Sequence, residues 1–261
     1  MNLVEFENVS MRYGQEGPMA IEDVTLSVEK NEFVAVVGPS GCGKSTLMKL
    51  VTGLAPPTEG YVYLAGKQVV GPQDGVGMAF QAPNLLPWRT TLDNVLLPME
   101  IARKYRHRFR AEKAAFREQA RTLLARVGLA GCEDKFPWEL SGGMQQRASI
   151  CRALIHRPSL LMLDEPFAAL DAFTREELWC MLRDLWQDDP FTVVLVTHDL
   201  REAVFLADTV YVMSQGPGRL LERKPVNLPR PRDLAVTFTD EFAELVLELR
   251  HHISRIREET S

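Results

Sequence analysis

The sequence predicts an α/β fold in which a largely parallel sheet is covered by helices. Three observations predict it. First, short apolar runs recur along the chain, among them "FVAVVG", "LLMLDEP", "TVVLVTHD" and "TVYVMSQ". Runs of that length and apolarity fit strands buried on both faces. Second, stretches of helical spacing separate these runs, and strands alternating with helices build parallel sheets. Third, "GPSGCGKST" places a glycine-rich turn between a buried strand and a helix.

Taken in order, "LVEFENV" and "IEDVTLSV" alternate apolar and polar residues, as half-buried strands do. "FVAVVG" leads into a helix that starts near Lys44 and is stopped by the Gly and Pro of "GLAPPTEG". "YVYLAG" and "GVGMAF" are two further strands. From about Thr90 to Leu140 the spacing turns helical, which reads as a helical insertion. Strands then return, with helices between them. The tail from "NLPRPRD" reads as a Pro-rich link followed by an amphipathic helix. In that helix Phe242, Leu245, Val246, Leu249, Ile253 and Ile256 share one face.

Composition narrows the function class. Of 261 residues, 46% are hydrophobic, enough for a sizeable core, and the formal net charge of −5 gives no reason to expect nucleic acid. "MNLVEFENVS" carries Glu5 and Glu7 and no apolar segment, so no secretory leader is expected. No apolar run approaches the roughly 18 residues of a membrane span, so a membrane role would need a partner. Cys42, Cys132, Cys151 and Cys180 form no C-x-x-C pair. A reduced, cytosolic compartment is expected. His251 and His252 are adjacent on a helix, face different directions and make a poor metal pair with each other.

"GPSGCGKS" fits G-x-x-x-x-G-K-[ST] with a strand before and a helix after. Gly38, Pro39, Ser40, Gly41, Cys42 and Gly43 would curl so that successive N–H groups face phosphate oxygens. Lys44 would add a full charge, Ser45 a hydroxyl ligand for Mg²⁺, and Thr46 the following turn. Cys42 reads first as a small residue that fits the loop; a helix N-terminus can also lower a thiol pKa, so alkylation that ATP protects against is the side expectation. "LLMLDEP" ends a buried strand in two acids. Ligands sit at the carboxyl ends of parallel strands, so Asp164 is placed for Mg²⁺ and Glu165 to orient or deprotonate water.

With "LSGGMQQR", "AALD", "VTHD" and "AFQ" added in that context, the chain resembles the ATP-binding subunits of ABC transporters over about residues 3–220. The resemblance implies a P-loop NTPase (RecA-like) core with a parallel sheet. To it are added an N-terminal antiparallel β region, a helical subdomain and a C-terminal helix. It divides the chain into a core segment 1–89, a helical subdomain 90–157 with the signature, a second core segment 158–222, and a linker with its helix, 223–261. It implies ATP and Mg²⁺ as cofactors and makes Tyr13 an adenine-stacking ring. Gln81 becomes a sensor of metal and water, Asp171 a residue of the D-loop, and His198 the switch histidine beside Glu165. Ser141, Gly142 and Gly143 open a helix that would cap the γ-phosphate of ATP held by a second copy. Met144 stands where glutamine is common, and Ala168 where serine or aspartate is often seen; neither contacts phosphate in that scheme.

The same resemblance implies a homodimer of ATPase chains and two integral-membrane permease subunits docking near Leu85, Leu86 and Trp88. A separate solute-binding protein and a peripheral location on the cytoplasmic face of a bacterial membrane complete it. Folding of those three side chains back into the helical subdomain is the alternative at that loop. The phrasing of "NLLPWRTTLDNV" and "THDLREAVFLADTVYVMSQGPGRL" is similar to importers of nitrate, sulfonate, taurine and bicarbonate. A small anion or sulfonate-type solute is therefore expected. Two alternatives stay open: a non-transport ABC ATPase of cluster-assembly or repair type, and an exporter or lipid-transport ATPase. The run "RKYRHRFRAEKAAFREQAR" has eight Lys/Arg against two Glu. It reads as a solvated helix face, with attraction to anionic headgroups as the other reading.

Overall fold

The structure is a computed structural model describing residues 1–14 and 17–259, the last six without their side chains. The chain divides into two units, Met1–Gln73 with Pro190–Ser261, and Asp74–Asp189.

The first unit opens with strands β1 (Asn2–Arg12), β2 (Met19–Glu29) and β3 (Phe33–Val37), helix α1 (Lys44–Val51), and strands β4 (Glu59–Leu64) and β5 (Lys67–Gln68). β1 pairs antiparallel with both β2 and β4, and β5 extends the sheet beside β4. One face of β1 is buried through Val4 and Phe6, while Glu7 is exposed, the alternation expected of a half-buried strand.

The second unit carries β6 (Val76–Phe80), α2 (Thr91–Ile101), α3 (Arg103–Arg106), α4 (Lys113–Arg126), α5 (Gly142–Leu154), β7 (Leu160–Asp164) and α6 (Ala172–Asp188). β6 and β7 pair in parallel. The helical stretch expected between Thr90 and Leu140 folds as α2, α3 and α4, followed by a short 3-10 turn at Pro137–Glu139. α2 is N-capped by Thr90, whose hydroxyl accepts from Asp93 N. Phe116 of α4 stacks on Phe109 and meets Tyr105 edge-on. These contacts hold the basic connection inward by its aromatics and leave its Arg and Lys side chains exposed.

The chain then returns to the first unit with β8 (Thr192–Thr197), α7 (Leu200–Leu206), β9 (Thr209–Met213), β10 (Leu220–Pro225) and α8 (Asp240–Glu259). β3 pairs in parallel with both β8 and β9, and β10 joins β9 antiparallel. Every residue of β3, β8 and β9 is buried, as their unbroken apolar runs require.

The tail is more than a link. Val226 and Leu228 are buried, and Arg232 is only 2% exposed. Arg232 donates to the carbonyls of Val204, Phe205, Ala207, Val226 and Leu228. A prolyl segment lacks amide donors, so its carbonyls find a side-chain donor instead. On α8, Phe242 and Leu249 are buried and Leu245, Val246 and Ile253 half-buried, one apolar face as expected. Ile256 lies outside the residues whose side chains are described.

Candidate functional site

In the first unit the chain between β3 and α1 forms a loop whose backbone folds on itself. Gly43 precedes α1 with φ of 93°, and no side chain caps the helix. A Cβ there would lie 2.4 Å from Ile21 Cγ2 and 2.7 Å from the Ala20 carbonyl oxygen. Only glycine permits both that left-handed turn and that approach. No side chain occupies the N-terminus of α1, and a helix start of that kind suits an anion.

Lys44 is buried and curls back, donating to the carbonyls of Gly38 at 2.8 Å and Pro39 at 3.0 Å. Its charge is thereby fixed inside the loop. Ser40, Gly41 and Ser45 are exposed on it, and Thr46 is buried beneath. Tyr13 is tied to this helix: its hydroxyl lies 3.2 Å from Thr46 Oγ1, and Lys49 Nζ sits 5.1 Å from its ring centroid. The ring is 46% exposed, a half-open aromatic beside a phosphate-type loop.

Cys42 follows the small-residue reading of the sequence. Its side chain is fully buried under the loop, and that burial pushes the thiol pKa up, with nearby Lys44 opposing. Desolvation disfavours a thiolate more than the lysine and the helix end favour it. Burial thus favours the packing reading over the side expectation of a reactive, nucleotide-protected thiol. His198, which follows β8, is exposed. Its neighbour Asp199 caps α7, accepting from the amides of Arg201 at 2.9 Å and Glu202 at 3.4 Å, and so fixes the backbone that carries it.

In the second unit, β7 is buried from Leu160 to Leu163 and delivers half-buried Asp164 and Glu165 at its end. Glu165 has φ of 45°. A left-handed backbone costs a non-glycine residue about 1–3 kcal/mol and tends to persist at functional sites. Asp171 N-caps α6, accepting from Thr174 N at 3.0 Å and Thr174 Oγ1 at 2.6 Å. Those bonds hold its carboxyl below the usual range.

Ser141 N-caps α5, its hydroxyl accepting from Met144 N at 3.3 Å. Ser141 and Gly142 are exposed, whereas Gly143 is buried. A Cβ on Gly143 would lie 2.5 Å from Thr174 Cγ2. Gln145 Nε2 donates to the carbonyls of Pro137 and Leu140, and Arg147 to that of Val127. The helix start is thus rigid and open.

Gln81 is exposed just past β6, whose last carbonyl, Phe80 O, accepts from Gln146 Nε2 at 2.9 Å. The loop after it is pinned from two sides. Asn94, fully buried, accepts from Leu86 N at 2.7 Å and donates to the carbonyls of Leu86, Arg89 and Thr90. Arg152 donates to the carbonyls of Pro83 and Asn84. Leu85 and Leu86 are half-buried, and Trp88 is 71% exposed. Asn94, Gln146 and Arg152 carry no motif of their own. Their one sequence signal is a polar residue at an apolar helix position.

The donors suit their expected ligands. A helix start with no side-chain cap and a lysine fixed beside it match a polyphosphate, and the Ser45 hydroxyl and Asp164 carboxylate are the hard oxygen donors that Mg²⁺ prefers.

Known proteins bear on this arrangement. The sequence pattern of the ABC transporter family matches residues 21–168. The taurine import ATP-binding proteins TauB of Shigella sonnei (strain Ss046) and Escherichia coli (strain K12) are each 45% identical over 228 residues. The match covers 87% of this chain and 86% of theirs. A dimeric, post-hydrolysis structure of the ATP-binding cassette MJ0796 bound to ADP and Pi is 32% identical with a TM-score of 0.72, covering 87% of this chain and all of that one. CbiO1 from Clostridium perfringens, at 22% identity and a TM-score of 0.77 over 98% of this chain and 99% of that one, shares the fold. The chain belongs to the ABC transporter family and is an ATP-binding, ATP-hydrolysing subunit of it.

Proposed function

We propose that the protein is the ATPase of an importer for a small sulfonate-type solute, working as a homodimer on the cytoplasmic face of a bacterial membrane. The relatives named for taurine import support the solute class, and the dimeric cassette supports the assembly. Two permease subunits would dock at the pinned loop around Leu85, Leu86 and Trp88. An exposed tryptophan on a rigid loop is the kind of anchor that docking uses. A separate binding protein would supply the solute.

The observation that carries the reading is the coexistence in one chain of a phosphate loop around Lys44 and an open helix start at Ser141 and Gly142. One chain therefore offers two halves of a site. Gly38 to Thr46 would cradle the nucleotide phosphates, and Tyr13 would stack on the base. Mg²⁺, when bound, would neutralise phosphate charge; Ser45, Asp164 and Gln81 are its proposed holders. Glu165 would take the proton of the attacking water, His198 would keep that water and Glu165 aligned, and Asp171 would hold the D-loop turn. Ser141, Gly142 and Gly143 of the second copy would close the site, since a helix N-terminus attracts anionic oxygen.

The test is Glu165→Gln, assayed by light scattering with Mg-ATP beside wild-type phosphate release. The expected result is a dimer stable in ATP, with hydrolysis reduced about 10²-fold or more. A variant that binds ATP and stays monomeric at high concentration would overturn the homodimer.

A further inference from the structure

We propose that Glu222, Glu248 and His252 form a divalent-metal site of the Zn²⁺ class that staples α8 to β10. The three residues lie beyond the segment matched by the family pattern and apart from every residue assigned above. Glu248 and His252 are four positions apart and so share one face of α8. Glu222 comes from β10. One ligand atom from each falls within 4.8 Å of the others, and all three residues are half-buried.

The decisive geometry is between Glu222 and His252. Oε2 of Glu222 lies 2.8 Å from Nδ1 of His252. A protonated imidazole would make this an ion pair; with a neutral one, that oxygen is buried without a hydrogen-bond partner and is left to a cation. Two ligand atoms this close, with a Glu248 oxygen within 4.8 Å of both, can share one cation. Neighbouring ligands of a tetrahedral Zn²⁺, bound at about 2.0–2.1 Å, lie roughly 3.3 Å apart. A few tenths of an ångström of side-chain movement bridges the difference.

Lys224 is the resident rival. Its Nζ lies 2.5 Å from Glu248 Oε1, balancing one of the two carboxylate charges. A metal would take the second carboxylate oxygen or displace the ammonium. One imidazole nitrogen and two carboxylate oxygens suit Zn²⁺ and leave its fourth position to water. The adjacent His251 is exposed and not among the three. The site therefore needs the strand, which the adjacent histidine pair could not replace.

The test is calorimetric titration of the full-length, chelator-treated chain with ZnCl₂, without nucleotide. His252→Ala, Glu222→Gln, Lys224→Gln and His251→Ala are run alongside. The expected result is one saturable Zn²⁺ per chain and a rise in Tm. His252→Ala and Glu222→Gln should each weaken binding about tenfold or more, Lys224→Gln should tighten it, and His251→Ala should leave it unchanged. X-ray absorption of the zinc-loaded wild type should show nitrogen and oxygen neighbours without sulfur, a readout that needs no variant to fold. Absence of saturable binding, full binding by both His252→Ala and Glu222→Gln, or a sulfur shell would each overturn the site.

Discussion

Nη1 of Arg232 donates to the carbonyl oxygen of Ala207 at 2.6 Å, tying the prolyl tail to the end of α7. Burial pulls this guanidinium's pKa down to about 10, which still leaves it charged at neutral pH. Its donors span carbonyls from two chain segments, a geometry that needs the planar fork of arginine. Leaving several carbonyls unsatisfied costs about 1–3 kcal/mol each before relaxation. Arg232→Met is expected to lose about 3 kcal/mol or more of stability in urea unfolding. Arg232→Lys should recover only part, because one ammonium cannot reach both segments.

Cys42 should resist iodoacetamide in the folded protein. Its thiol is buried and its pKa raised, while Cys180 is half-buried and more open than the other three cysteines. Mass-spectrometric mapping after a short native exposure should find label at Cys180 first. ATP should leave Cys42 labelling unchanged. Rapid labelling of Cys42 that ATP suppresses would show that the loop opens far more than its packing allows.

Gly143→Ala should destabilise the second unit. The added methyl meets Thr174 Cγ2 at 2.5 Å. Overpacking of that kind costs about 1–3 kcal/mol, more than the gain of up to about 1 kcal/mol in helix propensity. Adding Thr174→Ser removes the clashing methyl and keeps a hydroxyl for Asp171. Chemical denaturation should therefore place the double variant at or above wild type.

His156 predicts an acid sensitivity. It is buried, its Nδ1 has no hydrogen-bond partner, and burial lowers its pKa from the ordinary 6.5. The unfolded chain then binds more protons than the folded one below that value, so stability falls as pH drops through about 6.5. Thermal unfolding from pH 7.5 to 5 should show a smaller decline for His156→Gln than for wild type. Equal declines would assign the acid sensitivity to other groups.

Chemistry that depends on neighbours along the chain was legible in the sequence. A buried strand, a glycine turn and Lys44 make a phosphate loop because the turn and the helix start are local. The acids Asp164 and Glu165 end β7 because an apolar run must stop where it meets solvent. The face of α8 was legible through Leu249 and Leu245 because helical periodicity is fixed by backbone geometry. Tertiary structure alone decided what depends on distant partners. The depth of Cys42's burial comes from the loop folding over it, which its position on a helix start does not reveal. Asn94 and Arg152 pin the loop around Leu86 through carbonyls that carry no side-chain signature. Arg232 turns a prolyl link into a buried clasp, and Glu222 meets His252 across thirty residues of chain. Hydrogen bonding and burial are satisfied in space, so periodicity locates the elements and packing decides which side chains meet.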